Sequence, residues 1–342
     1  MSLSEGIFST TMINFTTLPK IELHLHLDCS LSYNVVKALD PSISVKQYRD
    51  EFMASVNCRD LNDYIAKAGR AINLMQSRDA LRLVTLDLFD QLKNDNVIYA
   101  EIRFAPLEHT EDGLTPEQIV SAVNRATEEG VQRTGIEAGV ILCTLRHYSE
   151  EQSLSTVKLC EKFRNTRVVG FDIAADEAGF PVDNHVKAFE YAHRQNIPCT
   201  AHAGEACGAE SVKETLNKFK PSRIGHGVRS VEDPNLMKYL KKHQIHLEIC
   251  PTSNTLTKVV SNLEDHPVDQ IYQSGISISI NTDGRTISNV TLKDEYESLH
   301  DIFEWTRDHL LKCNLEAVEH AFIDDEMEEK LRQKILDGWV EG

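Results

Sequence analysis

Eight short stretches, at residues 21–28, 97–104, 138–145, 168–174, 198–203, 223–228, 245–250 and 276–282, carry the alternation or apolar run of a β-strand, and helical patterns fill most of the intervals between them. Strands that recur in this β-then-α rhythm run parallel, because each helix returns the chain across the sheet, and eight of them can close into a barrel. In such a barrel the reactive groups sit at the C-terminal strand ends. The 342 residues suit one unit of this kind, and no low-complexity stretch, short repeat or Pro/Gly/Ser-rich linker divides them. The expectation is a single α/β domain over residues 1–342, a (β/α)8 TIM barrel, with residues 1–16 as a short N-terminal extension. The interval 29–96 exceeds what a βα connection needs, so extra helices should cover the barrel mouth there. After Asp283 the chain reads helical, most strongly over Leu292 to Trp305 and Glu316 to Leu336, and these segments should close the wall and outer face.

Charge narrows the partners. A net charge of −17 opposes docking on the phosphates of nucleic acid or on an anionic membrane, both of which need clustered Lys and Arg. A small soluble substrate is the better expectation. Residues 1–16 lack a basic segment followed by a continuous apolar run, and nowhere do about 18 apolar residues follow one another, so a soluble, cytoplasmic protein is expected. Cysteines at 29, 58, 143, 160, 199, 207, 250 and 313 show no Cys-x-x-Cys spacing. They read as reduced thiols, with neither disulfides nor Cys-ligated zinc.

The residues that bear chemistry fall at the ends of the strand-like stretches. In Ile21-Glu-Leu-His-Leu-His-Leu-Asp28 the alternation puts His24, His26 and Asp28 on one face. Among 14 His in 342 residues roughly 0.6 His-x-His matches arise by chance, so the pair alone is weak evidence. Further ligand-type residues at later strand ends strengthen it. His202 ends one such run, and Gly204 lets the backbone turn so that Glu205 faces the barrel mouth. His226 ends another. Asp283 closes Ile276-Ser-Ile-Ser-Ile-Asn-Thr-Asp, where it reads either as a helix N-cap or as a fourth ligand. Three imidazoles and a carboxylate suit Zn²⁺, though Fe²⁺, Co²⁺ or Mn²⁺ can enter the same set.

Together, His24-Leu-His26-Leu-Asp28, Leu142-Cys-Thr-Leu-Arg146-His147, Gly170-Phe-Asp-Ile-Ala-Ala-Asp-Glu177, His202-Ala-Gly-Glu205, Gly225-His226-Gly227, Glu248-Ile-Cys-Pro-Thr-Ser-Asn254 and Asn281-Thr-Asp283 resemble the adenosine deaminase family of the amidohydrolase superfamily, from about Leu18 to the C-terminal helices. The resemblance implies a (β/α)8 barrel with one Zn²⁺ per chain on His24, His26, His202 and Asp283. It also implies a purine nucleoside substrate, with adenosine or 2′-deoxyadenosine converted to inosine and ammonia by metal-held hydroxide attacking purine C6. Glu205 matches the family's proton donor to N1, a role that requires a protonated carboxyl, as burial favours. His226 matches the group that orients the attacking oxygen without being a ligand, and Glu248 is read as a carboxylate fixing an imidazole tautomer. Asp28 is implied to meet the ribose 5′-hydroxyl, and the backbone N–H of Ala175, where the family has Gly, to meet purine N3. Leu61, Tyr64 and Ile65 align with the family's apolar lid, although i, i+3, i+4 spacing equally describes an ordinary buried helix face.

Two positions depart from the family. Gly284 stands where a second Asp usually donates to purine N7, leaving Arg285, Thr286 or a water to replace it, or a related adenine compound as the substrate. Cys29 stands where the first motif normally has Gly. A binuclear amidohydrolase usually bridges its metals with a Lys at the fourth strand, and Val168-Val-Gly-Phe-Asp-Ile-Ala174 has none. The His-x-Glu and Pro-Cys-x-x-Cys signature of deaminases that act on nucleic acid is also missing.

Overall fold

The computed structural model describes residues 13–341, so residues 1–12 of the N-terminal extension lie outside the described residues. Eight strands follow in chain order: β1 (Lys20–His26), β2 (Val97–Phe104), β3 (Glu137–Leu145), β4 (Val168–Ala174), β5 (Thr200–Ala203), β6 (Arg223–His226), β7 (His246–Ile249) and β8 (Ile278–Ile280). Each pairs in parallel with the next within two arcs, β1 to β4 and β5 to β8. Parallel bridges at Phe171–Cys199 and Leu25–Asp283 join the arcs into a ring. At the second seam His26 N–H donates to Asp283 O at 2.8 Å, and Asp283 N–H donates to His24 O at 3.0 Å. The expected (β/α)8 barrel is therefore the observed fold.

Local chemistry sets the helices between strands. Pro116–Thr134 starts from a reciprocal cap between Thr115 and Gln118, with Pro in its first turn, and stops at Gly135, whose φ of 77° is left-handed. Between β1 and β2 lie Tyr33–Leu39, Val45–Phe52, Leu61–Ile65, Ala68–Leu74 and Arg78–Asn94, the extra helices that the long interval called for.

The C-terminal region departs from expectation in one place. The stretch from Glu316 to Leu336 is not one helix: Arg307–His320 ends, and Asp325–Glu341 begins afresh. Phe322 sits in the break, its N–H donating to Glu101 Oε1 at 2.5 Å and its ring 3.8 Å beneath the Arg223 guanidinium. These contacts to β2 and β6 hold the break open. Farther on, Trp339 is buried and its Nε1 donates to Pro19 O at 2.8 Å, fastening the last helix to the start of β1. Apolar side chains fill the layer between strands and helices in one continuous core that runs from Phe15 to Trp339. Among the described residues no helix is long and apolar enough to cross a membrane.

Candidate active site

Three strands deliver the ligand-type groups. β1 carries His24 and His26, and Asp28 falls just beyond it in the 3-10 turn Leu27–Cys29. β5 carries His202. Asp283 follows β8 at a φ of 62°, an uncommon conformation for a side chain with a Cβ, held there by its backbone bonds to β1. His26 Nε2 lies 3.2 Å from His202 Nε2, and Asp283 Oδ1 lies 3.4 Å from His26 Nε2 and 3.5 Å from His24 Nε2. Two ligands each about 2.0–2.1 Å from a tetrahedral centre stand about 3.3 Å apart. The observed spacing is that of ligands around one ion. His24 Nε2 is buried without a hydrogen-bond partner, so a cation here would satisfy an atom that is otherwise costly to bury. The donors thus fit a single divalent metal.

Electrostatics favours the neutral ring at two of the three imidazoles; at His24, burial and Arg103 act the same way but are outweighed by the carboxylates of Asp283 and Glu248, which raise it above its ordinary value. Burial holds His202 below its ordinary imidazole value and His26 well below it, which keeps both neutral, as ligands must be. Burial also opposes ionisation of Asp283, but the His24 ring 3.5 Å away and the other imidazoles around it outweigh that and hold the carboxyl well below the usual range.

The far side of each ring is anchored too. His24 Nδ1 is 2.9 Å from Glu248 Oε2, and His202 Nδ1 is 3.1 Å from Asp172 Oδ2. Arg103 joins the two carboxylates, with Nη1 donating to Asp172 and Nη2 to Glu248, both at 2.8 Å. Ser253 Oγ donates to Asp283 Oδ2 at 2.6 Å. No role was assigned to Arg103, Asp172 or Ser253 from the sequence. The available signal was a charged residue inside an apolar strand, in Val97-Ile-Tyr-Ala-Glu-Ile-Arg103 and in Val168-Val-Gly-Phe-Asp172.

Glu205 is buried, with Oε2 3.5 Å from His226 Nε2. Burial, then the charges of Asp283 and Glu177, push its carboxyl well above the ordinary range. Gly204 turns the chain at a φ of 72° and packs against Gly227, where a Cβ would meet the backbone at 3.4 Å. Glu177 fixes the loop that follows. Its two oxygens accept from the N–H groups of Gly204, Glu205, Ala206 and Cys207 at 2.6 to 3.0 Å, and from Ser211 Oγ. One carboxylate therefore holds four successive amides, an anchor that the sequence reading left without a role.

A cavity of about 290 Å³ opens above these groups. Its wall includes His26, His202, Glu205, His226 and Asp283, and also Asp28, Cys29, Leu61, Tyr64, Ile65 and Ala175. The helix Leu61–Ile65 thus lines the cavity, and Tyr64 packs in a small cluster with Cys58 and Ile287, separate from the main core. Ala175 sits at a φ of 78°, the left-handed region that glycine adopts freely. Neither side chain suggested as a replacement at the Gly284 end reaches the cavity. Arg285 Nη2 is bound to Glu22 Oε2 at 2.6 Å and Asp95 Oδ2 at 2.9 Å, and Thr286 Oγ1 donates to Leu31 O at 2.6 Å. Both are committed to partners outside the cavity wall.

Comparison with known proteins places this geometry. A family model described as adenosine deaminase matches residues 19–338. The adenosine deaminase of Clostridium acetobutylicum is 35% identical over 325 residues, 93% of this chain and 97% of that protein, and that of Enterococcus faecalis is 34% identical over 324 residues, 93% and 96%. The fold recurs in an adenine deaminase from Arthrobacter aurescens, with a TM-score of 0.87 at 23% identity, covering 95% of this chain and 100% of that one. It also recurs in an amidohydrolase from Burkholderia ambifaria with bound Zn, with a TM-score of 0.87 at 23% identity, covering 97% and 95%. On the match along nearly the whole described chain and on relatives of this identity, the chain belongs to the adenosine deaminase family.

Proposed function

We propose that this chain is a zinc-dependent hydrolytic deaminase that converts adenosine or 2′-deoxyadenosine, with water, to inosine and ammonia. Residues 1–342 act as one domain, and His24, His26, His202 and Asp283 hold one ion per chain. The carrying observation is that these four groups converge at ligand spacing beside a buried carboxyl, Glu205, on the wall of a cavity small enough to enclose a single nucleoside. When bound, the ion lowers the pKa of a water so that hydroxide is available near neutral pH.

The side chains supply the rest. Glu205, kept protonated by burial, donates to N1 as C6 is attacked, so that the electron pair pushed into the ring ends as an N–H bond. His226, at the same wall, hydrogen-bonds the attacking oxygen and steadies the charge on it. Glu248 orients His24. Asp28, whose carboxyl burial pushes up to about 6, meets the 5′-hydroxyl, and the Ala175 N–H meets N3. Leu61, Tyr64 and Ile65 exclude water over the base. Among the described residues the cavity wall carries Asp28, Glu108 and Asp176 but no Lys or Arg, which favours an uncharged nucleoside over a phosphorylated one. Nucleic acid and membranes are not expected partners at a net charge of −17. Eight free cysteines suit the reducing cytoplasm.

Metal-loaded protein assayed for formation of the 6-oxopurine product, with ammonia released from the 6-amino compounds and methylamine from N6-methyladenosine, should turn over adenosine or 2′-deoxyadenosine faster than adenine, 5′-methylthioadenosine or N6-methyladenosine. Glu205→Gln should lower kcat by about 10²- to 10⁴-fold. Inactivity on the whole panel would sink the deaminase reading, and a preference for one of the last three compounds would reassign the substrate.

A further inference from the structure

A buried hydrogen-bond chain runs to His226 from a group whose direction cannot reverse. The backbone N–H of Val268 donates to His266 Nδ1 at 3.1 Å. With Nδ1 accepting, the neutral His266 ring carries its proton on Nε2, which faces Asn254 Oδ1 at 3.2 Å. That contact fixes which way the Asn254 amide lies. Its Nδ2 then donates to His226 Nδ1 at 3.0 Å. Since Nδ1 of His226 accepts, its own proton sits on Nε2, the nitrogen 3.5 Å from Glu205 Oε2. His226, Asn254 and His266 are all buried, 1%, 0% and 3% exposed, so bulk water does not compete for any link. Burial also draws His266 down to about 3, leaving its ring neutral through the working range.

We propose that Asn254 and His266 are positioning residues that lock His226 in the Nε2–H tautomer, so that it offers the reacting oxygen a hydrogen-bond donor and offers a metal no lone pair. The proposal rests on the deaminase reading for what His226 then does, but not for the tautomer itself. It also explains why an imidazole whose ring centre lies 4.7 Å from that of His24 stands outside the ligand set. Asn254 follows β7 on the short helix Pro251–Leu256, and His266 lies in the segment before Val268–Ser274. The relay therefore ties the tautomer of a β6 residue to the structure between β7 and β8.

The test is histidine-selective ¹⁵N labelling of the zinc-loaded protein, with long-range ¹H–¹⁵N correlation to find the proton on each ring. Wild type should show His226 protonated on Nε2. Asn254→Asp presents only acceptors to both rings, so it should move the His226 proton to Nδ1 and lower kcat on the order of a hundredfold with KM changed less than about threefold. His266→Gln, which can still donate to Asn254, should keep the wild-type pattern, whereas His266→Leu should mix the tautomers. A wild-type proton on Nδ1, or an Asn254→Asp spectrum that matches wild type, overturns the relay. A moved proton with unchanged kcat overturns instead the part that His226 plays in the reaction. Should Asn254→Asp fail to fold, the wild-type and His266→Leu spectra decide the matter.

Discussion

Gly284 and Cys29 are a single packing solution. A Cβ on residue 284 would lie 2.7 Å from the Cys29 Cβ and 3.0 Å from the Tyr64 hydroxyl, so the thiol and the phenol fill the volume that an aspartate would need. In a purine, N1 and N7 flank C6 on opposite sides. Glu205 follows β5 while Gly284 follows β8, beside β1 and across the ring, so the proposed pose, with N1 at Glu205, would turn N7 toward the Tyr64 side of the cavity. The Tyr64 hydroxyl, 2.7 Å from Ser288 Oγ, can accept from the serine and donate to the base. Tyr64→Phe should lower kcat/KM for adenosine on the order of tenfold, yet leave inhibition by 7-deazaadenosine within about twofold. Equal weakening of both would mean that the ring only packs. This answer was not legible in the sequence, because Tyr64 and Gly284 lie 220 positions apart and read separately as a lid residue and a loss.

At the scale of elements, the barrel was legible because each strand announces itself locally. β2 and β4 occupy the stretches expected, end to end, since an apolar run bounded by polar turns needs no tertiary information. The break after His320 was not legible, because its causes, Glu101 and Arg223, belong to distant strands. The helix Leu292–Phe303 carries a different consequence. In its first turn Glu295 is fully buried, its Oε1 accepting from Thr252 N–H at 3.1 Å, and burial pushes its carboxyl up to about 8. An unfolded chain releases that proton near pH 4.5, so between about 4.5 and 8 the folded state holds a proton that the unfolded state has lost, and stability falls as pH rises through this window. Glu295→Gln should melt close to wild type at pH 5 and about 5–10 °C above it at pH 8.5. Equal melting differences at both pH values would contradict this.

For the whole molecule, the barrel interior holds a network of buried ion pairs. Arg103, fully buried between Asp172 and Glu248, links the carboxylates that orient His202 and His24. Arg103→Met takes the guanidinium from Asp172 and leaves Glu248 with Arg223 as its remaining cationic partner, and should cost about 3–5 kcal/mol of stability and lower zinc affinity by about 10–100-fold. Thermal melts of apo and loaded protein, with chelator competition, separate the two effects. A variant that keeps wild-type affinity would disconnect this pair of carboxylates from the metal. The seam between β8 and β1 has a last consequence. In the proposed donor set His24 and His26 lie about 260 residues before Asp283 and meet it only where β8 closes on β1, so a chain truncated ahead of Asp283 would lack a complete chelate.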